Sequence, residues 1–415
     1  MAGNEFIING GNELKGELTA SGNKNAILPI LAATLLTDEE VILQNVPDIA
    51  DVRVMLEMLE VMGAEISRDN NQVSITNASI KTSVLPEELC QKIRTSILFA
   101  GPMLHRTGHA KLSAPGGDGI GRRRLDAHFY GLRSMGAEVF EYDMEFKAEK
   151  RLIGAELFFD EASVTATEHI LMTAVLAEGT TSIRNAASEP HVQDLVQFLI
   201  ALGADIKGET TNTLIINGVD KLHGGEHRIA SDHIEVGSYL ALVAATGGEI
   251  RIHDVVKSHY WMINRIFNRF NIELEFEDGA VFLEAGQTPK VQSDIGGVMP
   301  RIDDGPWPQF PSDLMSVMLV LATQAEGAVL FFEKMFESRM YFVDPLIQMG
   351  ANIIVCDPHR VVVSGRTNLR GQTLRSPDIR AGMALLMAAL CANGKSLVQN
   401  AHIIDRGYEG IEHKL

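Results

Sequence analysis

The segment His169–Asn185, HILMTAVLAEGTTSIRN, decides the reading of this chain. An apolar run of helix length stops at Gly179, and a Thr- and Ile-bearing stretch of strand character follows. Apolar residues fall on every face of that helix, which marks it as buried all round. The order recurs in ATGGEIRI, QAEGAVLFF and CANGKSLVQN, and more weakly in HRTGHAKLS. The turn positions are Gly108, Gly179, Gly248, Gly327 and Gly394, and Glu39 in LLTDEEVILQN fills the slot without glycine. They stand about 70 residues apart, with one longer interval before Gly327. A second landmark, a helix end running into a strand, recurs in VMGAEIS, SMGAEVF, ALGADIK, RFNIELEF and QMGANIIV. Its centres are Gly63, Gly136, Gly203, Asn271 and Gly350, and they repeat the same long interval. Two landmarks sharing one insertion predict a six-fold repeat of helix, turn, strand, helix, turn, strand.

The first helix of each repeat is unusually apolar: AILPILAATLL, SILFAGPML, HILMTAVLA, SYLALVAAT, SVMLVLATQA and MALLMAALCA. The strands after them read as alternating, as at Thr181–Arg184 and Glu249–His253, which fits sheets with one wet face. The expected architecture is α/β with helices buried inside and sheets outside, in two domains of three repeats each. The helix starts carry Lys24, Arg94, Ser163, His233, Asp313 and Arg380. Taken alone, Ser163 and Asp313 read as ordinary caps. Lys and Arg have the wrong sign for that end of the helix dipole. They make sense there if an anion also binds, because free N–H groups already favour one. Lys24, Arg94 and Arg380 are therefore candidate anion ligands.

Composition sets the outer limits. The chain has 415 residues, a net charge of -18 and 46% hydrophobic residues, the balance of a soluble globular protein with ample core. The negative field disfavours non-specific binding to nucleic acid or to anionic membrane. Cys90, Cys356 and Cys391 form no CxxC, so neither a disulfide framework nor a zinc ribbon is expected. The opening MAGNEFIINGG has no apolar segment of signal-peptide type. The most apolar run, Ala26–Leu36, is too short to span a bilayer. A cytoplasmic location is the expectation. The pairs His105/His109 and His223/His227 flank glycines and read as surface residues, and no HExxH occurs, so no metal is expected.

Ser113–His128, SAPGGDGIGRRRLDAH, places four glycines around Asp118 and three arginines after them. It is no Walker motif, and GxGxxG fails at Arg122; the GKS at Gly394–Ser396 lacks the first P-loop glycine, since Ala389 stands there. Arg122 reads as a solvated charge.

With SGNKNA (Ser21–Ala26), IR (Ile93–Arg94), PGGDGIGRR (Pro115–Arg123), NAASEP (Asn185–Pro190), FPSD (Phe310–Asp313), FESR (Phe336–Arg339), DIRA (Asp378–Ala381) and HIIDRGYEGIEHKL (His402–Leu415), the chain resembles the enolpyruvyl transferases. It looks most like the members that act on UDP-N-acetylglucosamine. The resemblance runs in order from about Phe6 to the end and is carried chiefly by SGNKNA and IDRGYE. It implies an inside-out α/β barrel of two domains with three repeats each. Residues 24–230 would be the inserted domain, with the mobile Gly-rich loop and the nucleotide contacts. Residues 1–23 and 231–415 would form the other, with the catalytic base and the carboxylate-binding arginines.

The resemblance also implies the reaction, the first committed step of peptidoglycan synthesis. The enolpyruvyl group of phosphoenolpyruvate passes to the 3-hydroxyl of UDP-N-acetylglucosamine by addition and elimination, and phosphate leaves. Lys24, Arg123 and Arg406 would hold the phosphate, Arg380 and Arg406 the carboxylate, with Asn25 beside them. Bidentate guanidinium contacts suit both groups. The sugar nucleotide would meet Asn25, Arg94, Arg123, Arg124, Leu125, Asp126, Ala127, Glu161, Ser163, Val164, Asp313 and Met335. Asp126 would face the uracil, and backbone N–H groups near Ser163 the diphosphate. The catalytic set would be Asp118, Asp313, Lys24 and Arg406, with Asp313 as base and no cofactor.

Several positions depart from the family pattern. Asp118 stands where the loop usually carries Cys, the general acid and the residue alkylated by the epoxide fosfomycin. Arg124, Leu98 and Thr165 replace the usual Pro, aromatic and Gly, which leaves the acceptor open. A paralogue using another hydroxyl, and a six-repeat scaffold without catalysis, stand as alternatives. The shikimate-pathway branch fits less well, because Lys24-Asn25 replaces its Lys-Ser. The chain stops at Leu415, before the last helix end and strand that the sixth repeat predicts.

Overall fold

A computed structural model describes residues 5–415, in two compact units. The first comprises the described residues up to Ser21, Asp118–Arg122 and Ser231–Leu415; the second comprises Gly22–Gly117 and Arg123–Ala230. Each has its own apolar core. The fold is mixed α/β with six sheets among the described residues.

The repeat is visible in the element order. In the second unit the helix Val164–Ala174 leads into strand Thr180–Arg184, helix Pro190–Ala201 and the strands Asp205–Lys207 and Thr213–Asn217. In the first unit His233–Thr246 leads in the same way into Glu249–His253, Trp261–Arg269, Glu275–Glu277 and Ala280–Leu283. In both, the strand after the apolar helix pairs antiparallel with the second hairpin strand and parallel with a strand from elsewhere in its unit. In the sixth repeat Phe6–Asn9 takes the antiparallel place beside Lys395–Gln399.

The apolar helices are buried without a polar stripe. Every residue is buried from Ala166 to Ala174, from His233 to Ala244 and from Ile379 to Ala389. The second landmark also has a stereochemical basis. Gly63, Gly136, Gly203, Asn271 and Gly350 all have positive φ, the left-handed conformation that ends a helix and that Gly and Asn adopt most readily. Asn45, Asn185, Asp254 and Asn400 share that conformation after the first strand of four repeats.

Three sequence expectations change. The left-handed turn after His233–Thr246 is Gly247, not Gly248. Gly248 is needed instead for close approach, since a Cβ there would lie 1.8 Å from the Leu14 carbonyl oxygen. Thr181–Arg184 does not alternate: Thr181, Ser182 and Ile183 are all buried, so both faces of this strand are covered, whereas Glu249–His253 alternates as expected. His223 is exposed, as expected, but one histidine of each pair is not a simple surface residue. His105 bonds the Thr173 carbonyl at 2.6 Å and is pushed down in pKa by burial, and His227 pairs with the buried Asp194 at 2.8 Å.

The two adjacent glycines separate backbone strain from crowding. Gly248→Ala is expected to cost about 1–3 kcal/mol or more through overlap with a neighbouring backbone. Gly247→Ala meets open space and is expected to cost about 1 kcal/mol from its conformation alone. Denaturant midpoints of the two variants check the order.

Candidate active site

In the first unit, Asp313 is the second residue of helix Ser312–Gln324. Pro311 occupies the cap position and no side chain caps this helix, so the reading of Asp313 as an ordinary cap fails. Its carboxylate instead joins two arginines. Arg339 Nη2 donates to Oδ1 at 3.0 Å and Arg380 Nη2 to Oδ2 at 2.7 Å. Both arginines are buried. Burial opposes the charge on Arg380, but Asp313 and then Tyr408 outweigh it and raise its pKa. Arg380 also donates to the Tyr408 hydroxyl at 3.2 Å, which is tied to Ser238 at 2.9 Å. Asp378 caps the helix Ile379–Cys391, which carries Arg380, accepting from the Arg380 and Ala381 N–H groups. The cation therefore sits just inside an acidic cap, which accommodates its sign.

Arg339, given no role by the sequence, has its Nε and Nη1 buried without a hydrogen-bond partner among the described residues. Asp118, on the Gly-rich loop, accepts from Arg406 Nη1 at 2.6 Å. Arg122 is exposed, as expected, and its N–H donates to Glu337. Met335 is exposed, and its N–H donates to Glu333.

Glu333 is the second group that the sequence did not reveal. It is fully buried, and its carboxyl accepts from Ser312 Oγ at 2.8 Å and from the Phe336 N–H at 3.1 Å. Burial and the neighbouring buried Asp304 push Glu333 up to about 9. It thus retains a proton immediately behind the residue preceding Asp313. Only a hydrophobic strand end, LFFEK, marked its place in the sequence.

In the second unit, Lys24 opens helix Lys24–Ala33, behind an Asn23 cap, with Asn25 half-buried beside it. Its ammonium pairs with Asp51 at 2.9 Å, and both side chains are largely buried. Arg94 opens the 3-10 helix Arg94–Phe99 and donates to the carbonyls of Arg123 and Arg124, the latter at 3.1 Å. Burial, with the charge of Arg123, lowers its pKa to about 10. Arg124 makes a two-pronged contact with Asp126 at 2.8 and 2.5 Å, and this hydrogen bonding lowers the Asp126 pKa. Leu125 precedes helix Asp126–Ser134, which Asp126 and Ala127 begin. Glu161 is exposed, Ser163 caps Val164–Ala174 by accepting the Ala166 N–H, and Val164 is its first residue. Leu98 is fully buried in the core, so that departure does not present a side chain to a ligand. Of the residues assigned to the phosphate, Lys24 and Arg123 belong to this unit and Arg406 to the other.

Residues 8–415 match the family described as EPSP synthase (3-phosphoshikimate 1-carboxyvinyltransferase). The chain belongs to this family of enolpyruvyl transferases. It is 52% identical over 412 residues to the UDP-N-acetylglucosamine 1-carboxyvinyltransferase of Borreliella burgdorferi, covering 99% of this chain and 96% of that protein. It is 51% identical over 417 residues to the enzyme of the same name from Bradyrhizobium diazoefficiens, covering 100% and 96%. The solved enolpyruvyl transferase NikO from Streptomyces tendae superposes with a TM-score of 0.87 at 24% identity, over 100% of this chain and 97% of that one. EPSP synthase from Acinetobacter baumannii gives 0.74 at 19% identity, over 97% and 95%.

Two outcomes are expected from this geometry. Asp313→Asn leaves two buried guanidiniums without their counter-charge, so a loss of about 3 kcal/mol in stability should accompany a fall in turnover of about a hundredfold or more. Unchanged stability in denaturant would show that Asp313 does not hold the arginines. For Glu333, the folded pKa lies above the ordinary value of 4.5, so folding retains a proton that the unfolded chain releases. Its stabilising contribution is complete below pH 4.5 and is lost as pH rises towards about 9, at up to ~1.4 kcal/mol per pH unit. Glu333→Gln should remove this slope, and unfolding curves across that window compare the two.

Proposed function

We propose that this chain transfers the enolpyruvyl group of phosphoenolpyruvate to the 3-hydroxyl of UDP-N-acetylglucosamine, with release of phosphate, and so commits material to peptidoglycan synthesis. The observation that carries this is identity near one half, end to end, with several enzymes bearing that name. The acceptor reading draws further support from the loop Arg123–Ala127 and the open helix start at Ser163, groups suited to a uridine diphosphate.

The roles follow the chemistry. Asp313 would take the proton of the 3-hydroxyl as its oxygen adds to C2 of the enolpyruvate, and C3 would gain a proton. In the elimination C3 would return a proton to the group that supplied it, phosphate would depart with the electron pair of its own C2–O bond, and the proton held by Asp313 would leave with the phosphate. Asp118 would supply the proton to C3, which requires it to exchange its Arg406 contact for a protonated state. Arg380 and Arg406 would hold the carboxylate; Lys24 and Arg123, with Arg406, the phosphate. Fixed cations aimed where charge develops are a large source of rate. Neither step calls on a metal or cofactor. Arg94, Asn25 and Met335 would contact the sugar nucleotide.

We read the architecture as an inside-out α/β barrel in each unit, which the buried apolar helices support. No helix among the described residues is long and apolar enough to cross a membrane, and we place the reaction in the cytoplasm. The decisive measurement is phosphate release from phosphoenolpyruvate with and without UDP-N-acetylglucosamine. Release only with the sugar nucleotide is expected. Release only with another hydroxyl acceptor would favour a paralogue, and none at all would favour a scaffold.

Asp118 also sets the response to fosfomycin. A carboxylate engaged by Arg406 is a weak nucleophile beside a thiolate. The natural chain should resist time-dependent inactivation, whereas Asp118→Cys should stay active and become sensitive. Mass analysis of the loop peptide locates any adduct.

A further inference from the structure

Thr165 is the second residue of helix Val164–Ala174 and is half-buried. Its hydroxyl lies 3.3 Å from His128 Nε2. His128 Nδ1 lies 3.0 Å from His169 Nδ1, and His169 Nε2 accepts the Gly101 N–H at 2.9 Å. Both rings are fully buried. All four residues belong to the second unit.

This chain permits one arrangement of protons. The Gly101 amide can only donate, so His169 Nε2 is an acceptor and its proton is on Nδ1. That proton points at His128 Nδ1, which must then accept, leaving the His128 proton on Nε2. The Thr165 oxygen therefore receives a hydrogen bond, and its own hydrogen has no acceptor among the described residues. Burial, then the neighbouring His169 ring and the positive charge of Arg94, drives the His128 pKa well down, and burial lowers that of His169 to about 3. Both rings are then neutral at ordinary pH, as the relay requires. The close approach is built in at Gly101, where a Cβ would meet the Thr173 hydroxyl at 2.1 Å and His169 Cδ2 at 3.2 Å.

We propose that Thr165 is a substrate-binding residue whose hydroxyl donates to a phosphate oxygen of the nucleotide, and that His128 and His169 are positioning residues that fix the direction of that donor. This deepens, and rests on, the reading of the Ser163 helix start as the diphosphate site. Ser163 Oγ already satisfies the Ala166 N–H, whereas the N–H groups of Val164 and Thr165 have no hydrogen-bond acceptor among the described residues, so the hydroxyl adds a side-chain donor beside open backbone donors. A histidine-held threonine thus stands where the family pattern has glycine, which can offer only its backbone.

The test compares Thr165→Val, which keeps shape and loses the donor, with Thr165→Ser, which keeps it. Calorimetry with uridine diphosphate and with UDP-N-acetylglucosamine should show a Kd raised about tenfold or more in the Val variant, and close to the natural value in the Ser variant. In phosphate-release assays the KM for the sugar nucleotide should rise while that for phosphoenolpyruvate stays put. Long-range nitrogen–proton correlation spectra of the full chain should place the His128 proton on Nε2 and the His169 proton on Nδ1. An unchanged Kd in Thr165→Val, or a His128 proton on Nδ1, overturns the proposal. If the natural chain binds uridine diphosphate but turns over no UDP-N-acetylglucosamine, the functional reading fails while the relay is still judged by Kd and tautomer.

Discussion

A helix that is apolar on every face has only its ends to offer to solvent. That constraint orders this protein. Each unit buries three largely apolar helices, so most charged groups stand at their termini or on the loops beside them, and the few polar groups inside, such as His169, are held by hydrogen bonds within the core. The N-termini bring free N–H groups and a positive dipole end, so they suit anions before any side chain is chosen. The side chains then found there, Lys24, Arg94, Asp313 and Arg380, are charged although their helices are not.

Charges placed at the rim of a core need partners, because burying one alone costs far more than a hydrogen bond returns. The pairs are consistent across the molecule. Lys24 has Asp51, Arg339 and Arg380 share Asp313, and Arg406 has Asp118. Under the proposed reaction, these carboxylates would hold the cations in shape until an incoming anion exchanged one oxygen partner for another. Such sites are preorganised, which is where electrostatic catalysis gains most. Glu333 fits the same scheme from the other side: a buried acid beside Asp304 stays protonated and so adds no second negative charge behind Asp313.

Much of the fold was legible because periodicity and turn chemistry are local properties. The five centres from Gly63 to Gly350 were identifiable as helix ends, and each adopts the left-handed conformation that makes Gly or Asn necessary. Gly247 and Gly248 mark the limit of such reading. Adjacent glycines look alike in sequence, yet one turns the chain and the other admits the Leu14 carbonyl. Asp313 was a functional candidate only through the resemblance of FPSD to the enolpyruvyl transferases; its place at a helix start by itself looked like a cap.

The sequence alone determined the repeat, the six buried helices, the helix-start cations and the family, since each depends on residue type at fixed spacing. Tertiary structure decided the pairing. No sequence motif singled out Asp51, Glu333, His128 or His169 for a role. Their roles arise from contacts between residues distant in sequence, such as Ser312 with Glu333, 21 positions apart, and His128 with His169, 41 apart; the Asp118–Arg406 pair spans 288. Long-range electrostatic and hydrogen-bond partners are fixed by distance in space, and no local pattern along the chain encodes that distance.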